Sequence, residues 1–237
     1  MSNVKREVNS GKTHAIQAVI FDLDGTLIDS MGLWVIIDQE FLSRRGITMP
    51  DDYVQTVKTM SFADSSRYTI ERFALSDTAD MVIQEWMDMA VFAYANKVPL
   101  KPGVLSYLQF LQKNRIKIGL ATTNTVLLYE PVLRNNGVYD YFSSFTTIKE
   151  VSKDKGHPDI YLLAARKLGA DSRSCMVFED TLLGVTGAKK AQMKVIGVFD
   201  AHSAADKEQI MEQADIYIYA FEQMMTCHEK GSIILQE

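Results

Sequence analysis

Cysteine is scarce in this chain. Among 237 residues only Cys175 and Cys227 occur. They lie far apart and form neither a redox motif nor a thiolate metal set, which excludes a disulfide scaffold and fits a reducing cytoplasm. Long apolar runs are missing too: nothing approaches the roughly 20 residues of a transmembrane helix, so no membrane association is expected. The N-terminal stretch MSNVKREVNSGKTHA carries charge but no apolar core, which excludes a signal peptide. Residues 1–14 are expected to form a disordered leader. Basic excess is also absent. Lys and Arg number 25 against 30 Asp and Glu, a net charge of -5. That balance argues against a nucleic-acid binder held by phosphate contacts. It leaves room for a small phosphorylated substrate if a metal supplies positive charge locally. There is no internal repeat or low-complexity segment. What remains is 47% hydrophobic and 23% charged, a soluble globular composition long enough for one large domain or a core with a smaller companion. A monomer is the default expectation.

The apolar segments are short and continuous rather than alternating, as expected of strands covered on both faces. They are AVIF (Ala18 to Phe21), KIGLAT (Lys117 to Thr122), CMVFE (Cys175 to Glu179), KVIGVF (Lys194 to Phe199) and IYIY (Ile216 to Tyr219). Helical patterns lie between them, including GVLSYLQFLQKNR and DIYLLAARKLG, the latter stopped by Gly169. Strand alternating with helix predicts a parallel α/β sheet. From about Met31 to Val98 the alternation breaks. That region is helical, with GLWVIIDQEFLSRRG and MVIQEWMDMAVFAYANK as its clearest segments. The Met-rich stretch Met81 to Met89 reads as helical core. PLKPG, residues 99–103, then punctuates the return. The expected organisation is a core of residues 15–30 and 101–237 with a helical cap, residues 31–100, over the carboxyl edge of the sheet.

The stretch VIFDLDGTLIDS places Asp22 and Asp24 where the first strand ends. Two carboxylates at about 4 Å and an effective dielectric near 20 repel by roughly 4 kcal/mol. A metal, phosphate chemistry or a solvated turn could each resolve this. An EF-hand loop is excluded because Gly25 comes fourth where that loop needs glycine sixth. Other polar groups share the same sheet edge: Thr122 ends the second strand, Glu179 and Asp180 end CMVFE, and Lys155 precedes the DIYLLAARKLG helix. Their types fit phosphoryl transfer through an aspartyl phosphate. Asp22 would attack phosphorus. Asp24 would protonate the leaving oxygen and later activate water. Glu179 and Asp180, with Asp22, would hold Mg²⁺. Lys155 and the Thr122 hydroxyl would bind phosphoryl oxygens.

Four motifs in order, DLDGT, LATT, DKGHPDIY and VFEDTLLGV, resemble those of the haloacid dehalogenase-like hydrolase superfamily, closest to its phosphatase and β-phosphoglucomutase-like branch. The resemblance covers about residues 15 to 220. It implies a Rossmann-like, doubly wound parallel sheet with an inserted α-helical cap. It also implies that Asp24 contributes to the metal site through its backbone carbonyl, leaving its carboxylate free for acid–base work. Some positions depart from the pattern. Gly156 stands in the lysine loop and is expected to loosen it, and Lys153 lies close enough to be mistaken for Lys155. In the cap, KTMSFADSS matches the mutase substrate loop, with Thr59 for a glycine and Phe62 where the mutase has an arginine. Trp34 replaces a histidine near the hinge. These differences favour a simple phosphatase over a bisphosphate-dependent mutase.

Each residue also has a plainer reading. Thr123 rivals Thr122 as a phosphate ligand, and both are kept as substrate-binding candidates. Asn124 lines the pocket or caps the next helix. Glu179 and Asp180 could be an exposed helix start, and His157 a loop residue. Trp34, Phe62 and Trp86 read as cap packing, with Phe62 kept as a substrate-facing candidate. Asp29 and Ser30 read as shaping the hinge. The function expected is a Mg²⁺-dependent phosphatase acting on a small phosphorylated metabolite, such as a sugar phosphate. A phosphosugar mutase and a catalytically silent binding protein are the alternatives.

Overall fold

The structure, a computed structural model, describes residues 15–58 and 60–229. The expected leader and Thr59 lie outside them. Strand β1 (Ala18–Phe21) is followed by four helices, α1 (Leu33–Ser43), α2 (Tyr53–Val57), α3 (Phe62–Phe73) and α4 (Ala79–Asn96). Next come α5 (Val104–Lys113), β2 (Lys117–Thr122), α6 (Val126–Asn135), β3 (Ser144–Thr147) and α7 (Asp159–Leu168). The chain continues through β4 (Cys175–Glu179), α8 (Leu182–Lys190), β5 (Lys194–Val198), α9 (Lys207–Gln213), β6 (Ile216–Ile218) and α10 (Glu222–Glu229).

The strands form one sheet, order β3-β2-β1-β4-β5-β6, with every pairing parallel. The chain winds outward from β1 through β2 to β3, then returns to β1's other side for β4. The α/β expectation therefore holds in its doubly wound form, and the reversal at β1 opens the crevice in which such sheets bind ligands. Alternate residues feed two cores. Val19, Phe21, Ile118, Leu120, Met176 and Phe178 point toward α5, α6 and α10. Ala18, Ile20, Ala121, Cys175 and Val177 point toward α7, α8 and α9. This two-residue period is what buries β1 at all four positions.

The helical insert leaves and rejoins the core along paired connections. Asp29 N–H donates to Pro99 O at 3.0 Å and Lys101 N–H to Leu27 O at 2.9 Å. Side-chain caps set two of its helix starts: Ser61 accepts from Asp64 N, and Thr78 from Met81 N. Trp34 meets Phe62 edge-on at 5.1 Å between ring centroids, Phe62 lies 6.2 Å from Trp86, and Trp86 lies 5.5 Å from Phe41. The packing expected of these aromatics is present. The Met-rich stretch is core only in part: Met89 is buried, but Met81, in the first turn of α4, is 58% exposed. Gly169 ends α7 at φ 62°, as its position predicts.

Candidate active site

Register builds the site. Phe21 pairs with Phe178, so Asp22 comes level with Glu179 one residue on, and Asp22 N–H donates to Phe178 O at 3.0 Å. Asp180 follows directly. One carboxylate oxygen from each of Asp22, Glu179 and Asp180 falls within 4.8 Å of the others, and all three residues are buried. The turn after Asp24 needs Gly25. Its φ is +75°, and a Cβ there would collide with the Asp180 carboxylate. Thr26 Oγ1 then donates to Asp180 Oδ1 at 2.9 Å, and Ser203 Oγ to Oδ2 at 3.4 Å.

Lys155 reaches this cluster from the loop before α7. Its Nζ donates to Asp22 Oδ1 and to Glu179 Oε1. Glu179 is further held by Tyr161 Oη at 2.7 Å and Thr181 Oγ1 at 3.2 Å. Two glycines of α8 make the approach possible. A Cβ at Gly184 would enter the Glu179 carboxylate, and one at Gly187 would enter the Lys155 carbonyl. Gly156, expected to loosen the loop, is instead tied on both sides. Its N–H donates to Asp154 Oδ1 at 3.0 Å and its carbonyl accepts from Lys190 Nζ at 2.8 Å. Lys153 is exposed while Lys155 is buried, which separates the two lysines. His157 stays outside, exposed and 3.0 Å from Asp154.

The Asp24 carboxylate takes its hydrogen bonds from outside the cluster. Three donors from three segments hold it: Ser30 Oγ at 2.6 Å, Asn124 Nδ2 at 2.5 Å, and the Tyr94 hydroxyl from α4. Ser30 thus does more than shape the hinge. Asn124 lines the site rather than capping α6, whose N-cap is Thr125. Thr122 is buried at the end of β2 and its Oγ1 accepts from Asn124 N at 3.0 Å, whereas Thr123 is exposed. Phe62, 43% exposed at the start of α3, sits among the insert's aromatics and makes no hydrogen bond or ion pair to the carboxylate cluster.

Burial dominates the electrostatics. It pushes the Asp22 carboxyl well above the ordinary range, opposed by the Lys155 ammonium and reinforced by Glu179, Asp180 and Asp24. Asp180 is pushed up to about 7 by burial and by Glu179. Asp24 is raised by burial and drawn back by its bonds from Ser30, Tyr94 and Asn124. Burial works against the Lys155 charge, but Asp22 and Glu179 outweigh it and raise its pKa. One ammonium thus faces a surplus of buried carboxylates, a charge imbalance that a hard cation could offset. Three clustered carboxylates, all oxygen donors, suit a divalent ion such as Mg²⁺. Tyr94, Tyr161, Thr26 and Ser203 were not singled out in the sequence. Each is a common residue in a helix or loop, and only the folded register brings it to a carboxylate.

A family profile described as haloacid dehalogenase-like hydrolase matches residues 19–198. Hexitol phosphatase B of Escherichia coli (strain K12) is 28% identical over 189 residues, covering 77% of this chain and 83% of that protein. The phosphorylated carbohydrates phosphatase of Thermotoga maritima is 25% identical over 211 residues, covering 89% and 97%. A crystal structure from Thermotoga maritima, described there as a candidate β-phosphoglucomutase, superposes with a TM-score of 0.82 at 25% identity, covering 90% of this chain and 99% of that one.

Proposed function

The chain belongs to the haloacid dehalogenase-like hydrolases, and on that footing we propose that it is a Mg²⁺-dependent phosphatase acting on a small phosphorylated metabolite. The observation that carries the reading is the buried set of Asp22, Glu179 and Asp180 bridged by Lys155, with the Asp24 carboxylate held beside it. Asp22, Glu179, Asp180 and the Asp24 backbone carbonyl would hold Mg²⁺, which supplies positive charge against the carboxylates and the phosphoryl oxygens.

The protein's own groups divide the work as follows. An Asp22 carboxylate oxygen attacks phosphorus, and the bond to the leaving oxygen breaks. Asp24, entering as the acid, gives that oxygen its proton. Water then attacks the phosphorus of the aspartyl phosphate, Asp24 takes the water's proton, and Asp22 and inorganic phosphate are released. Asp24's burial favours the protonated form this cycle starts from. Lys155 keeps its charge throughout and, with the Thr122 hydroxyl, binds phosphoryl oxygens, while Thr123 and Asn124 border the same space. Phe62 is kept as a residue for the leaving group to meet. The helical insert acts as a cap that excludes bulk water.

The similarity to a hexitol phosphatase and a carbohydrate phosphatase supports a sugar or sugar-alcohol phosphate as the substrate class. The superposition on a candidate β-phosphoglucomutase favours a phosphosugar mutase as the second reading. A cytoplasmic location is supported by two free cysteines and by the lack, among the described residues, of any helix long and apolar enough to cross a membrane. The test is phosphate release from a panel of phosphorylated metabolites, with Mg²⁺ and with EDTA, for the wild type and Asp22→Asn. Release that needs Mg²⁺ and disappears in the folded variant is expected. Near-normal release by Asp22→Asn would sink the covalent route. Interconversion of hexose phosphates only with added sugar bisphosphate would favour the mutase.

A further inference from the structure

Lys101 stands where the helical insert rejoins the core, and its ammonium is fully engaged. It donates to Gly25 O, to Phe199 O at 2.7 Å and to Asp200 Oδ2 at 2.9 Å. An ammonium has three donors, so none remains for a phosphate. The side chain is 14% exposed and that of Asp200 5%. A partly buried lysine with all three donors engaged is not a spare anion site. It is a strut between two loops.

Those loops have one thing in common. Gly25 precedes Thr26, whose hydroxyl donates to Asp180 Oδ1 at 2.9 Å. Asp200 starts the short helical turn Ala201–Asp206 by accepting from His202 N at 2.9 Å. Ser203, in that turn, donates to Asp180 Oδ2 at 3.4 Å. Each oxygen of Asp180 is therefore held by a hydroxyl from a different loop. We propose that Lys101 is a positioning residue for the metal site: by tying the Gly25 turn to the Asp200 turn, it fixes both hydroxyls and so aims the Asp180 carboxylate. The inference rests on the Mg²⁺-dependent reading above and extends it to a residue that touches neither metal nor substrate.

The physical case is that a ligand's own hydrogen bonds set its orientation, and losing such outer partners typically weakens metal binding by about 10- to 100-fold. A carboxylate oxygen can accept a hydroxyl and still face a cation. Thr26 and Ser203 can do this together only if their loops stay in register, and Lys101 bonds to both loops independently of Asp180 itself. Because Lys101 N–H also pairs with Leu27 O, the strut stands on the connection through which the insert is attached.

The experiment is Mn²⁺ binding to the full chain, read by the electron paramagnetic resonance signal of free Mn²⁺, beside thermal melts without metal. The variants are Lys101→Met, Asp200→Ala, Ser203→Ala and the Lys101→Met/Ser203→Ala double, with Asp180→Asn as control. Lys101→Met is expected to weaken Mn²⁺ about tenfold. Ser203→Ala weakens it in the wild type but adds little once Lys101 is gone, the mark of a coupled pair. Wild-type affinity in Lys101→Met and Asp200→Ala, even with lowered melting temperatures, would overturn the proposal by making Lys101 a structural clamp only. So would a Ser203→Ala effect that is fully retained in the double variant. If Lys101→Met does not fold, Asp200→Ala cuts the same link from its other end and decides by the same affinity. A wild type that binds no Mn²⁺, or an Asp180→Asn that binds it undiminished, would instead refute the metal reading on which the proposal stands.

Discussion

Replacing Lys155 by Met removes the only ammonium that bonds to the carboxylate cluster among the described residues, and leaves a side chain of similar length. Asp22 and Glu179 each lose a charged donor, and both are buried. Glu179 keeps Tyr161 and Thr181, so its orientation survives while its charge goes unanswered. The repulsion of two carboxylates about 4 Å apart at an effective dielectric near 20 is roughly 4 kcal/mol. Removing one partner of a buried ion pair costs about 3–5 kcal/mol in general. The two routes agree, so a metal-free loss of about 3–4 kcal/mol is expected near pH 8. The loss has a sign in pH. Asp22 already sits above its ordinary range through burial, and losing Lys155 raises it further. A carboxyl whose folded pKa exceeds its unfolded one destabilises the fold as pH climbs from the unfolded value to the folded one. The penalty should therefore shrink to about 1 kcal/mol near pH 5, where one carboxyl carries a proton. Urea unfolding in EDTA at the two pH values measures this. Added Mg²⁺ should recover part of the loss near pH 8, because it binds only the folded cluster, while phosphate release stays far below wild type. An equal loss at both pH values, or one below about 1 kcal/mol near pH 8, would refute the charge balance described here.

Asp38 of α1 offers a simpler titration, since burial alone pushes it up to about 6 from its ordinary 3.8. The wild type thus loses stability as pH rises through that window. Asp38→Asn should gain about 1–2 kcal/mol near pH 8, after discounting for partial exposure, and nothing near pH 4; urea unfolding with no gain near pH 8 would contradict it. Tyr94→Phe removes one of three donors to Asp24. It should lower kcat about tenfold, one charge-assisted hydrogen bond's worth, with KM little changed. Steady-state kinetics on the best substrate checks this, and a change confined to KM would make Tyr94 a substrate contact instead.

How much of this was legible in the sequence depended on whether a residue's signal was local. β1, β2 and β4 read clearly because continuous apolar runs buried on both faces have no other home in a soluble chain. β3 did not. SFTT is short and mostly polar, and its burial alternates because it closes one edge of the sheet. α6 was obscured by Pro131 inside it and α8 by two glycines, residues that argue against a helix by propensity. In α8 those glycines have a tertiary reason, the close approach of Glu179 and the Lys155 loop. The candidate site divides the same way. Asp22, Asp24, Glu179 and Asp180 stand out because their types cluster at strand ends, and Lys155 because of the motif around it. Tyr94 in α4 and Ser203 after β5, which bond to Asp24 and Asp180, do not, because a tyrosine in a helix and a serine in a loop carry no local mark.

The residues that bond to the carboxylates divide by where they come from. Those that bond to Asp22, Glu179 and Asp180 come from the core: Lys155, Tyr161, Thr181, Thr26 and Ser203. Those that bond to Asp24 come from both sides of the insert boundary: Ser30 before α1, Tyr94 near the end of α4, and Asn124 from the core. The cluster's side-chain partners thus lie outside the insert, whereas Asp24 takes one of its three donors from it. Rotating α4 away from α6, against which it packs, would strip Tyr94 from Asp24 and leave a raised, buried carboxyl with two donors instead of three. The partners of the Asp22, Glu179 and Asp180 carboxylates would still be in place. In the proposed mechanism, the group that would exchange a proton with the leaving oxygen is therefore the one whose surroundings report whether the insert is docked. Under that mechanism the division would keep the proton step tied to a covered site while Asp22 and Lys155 stay in place.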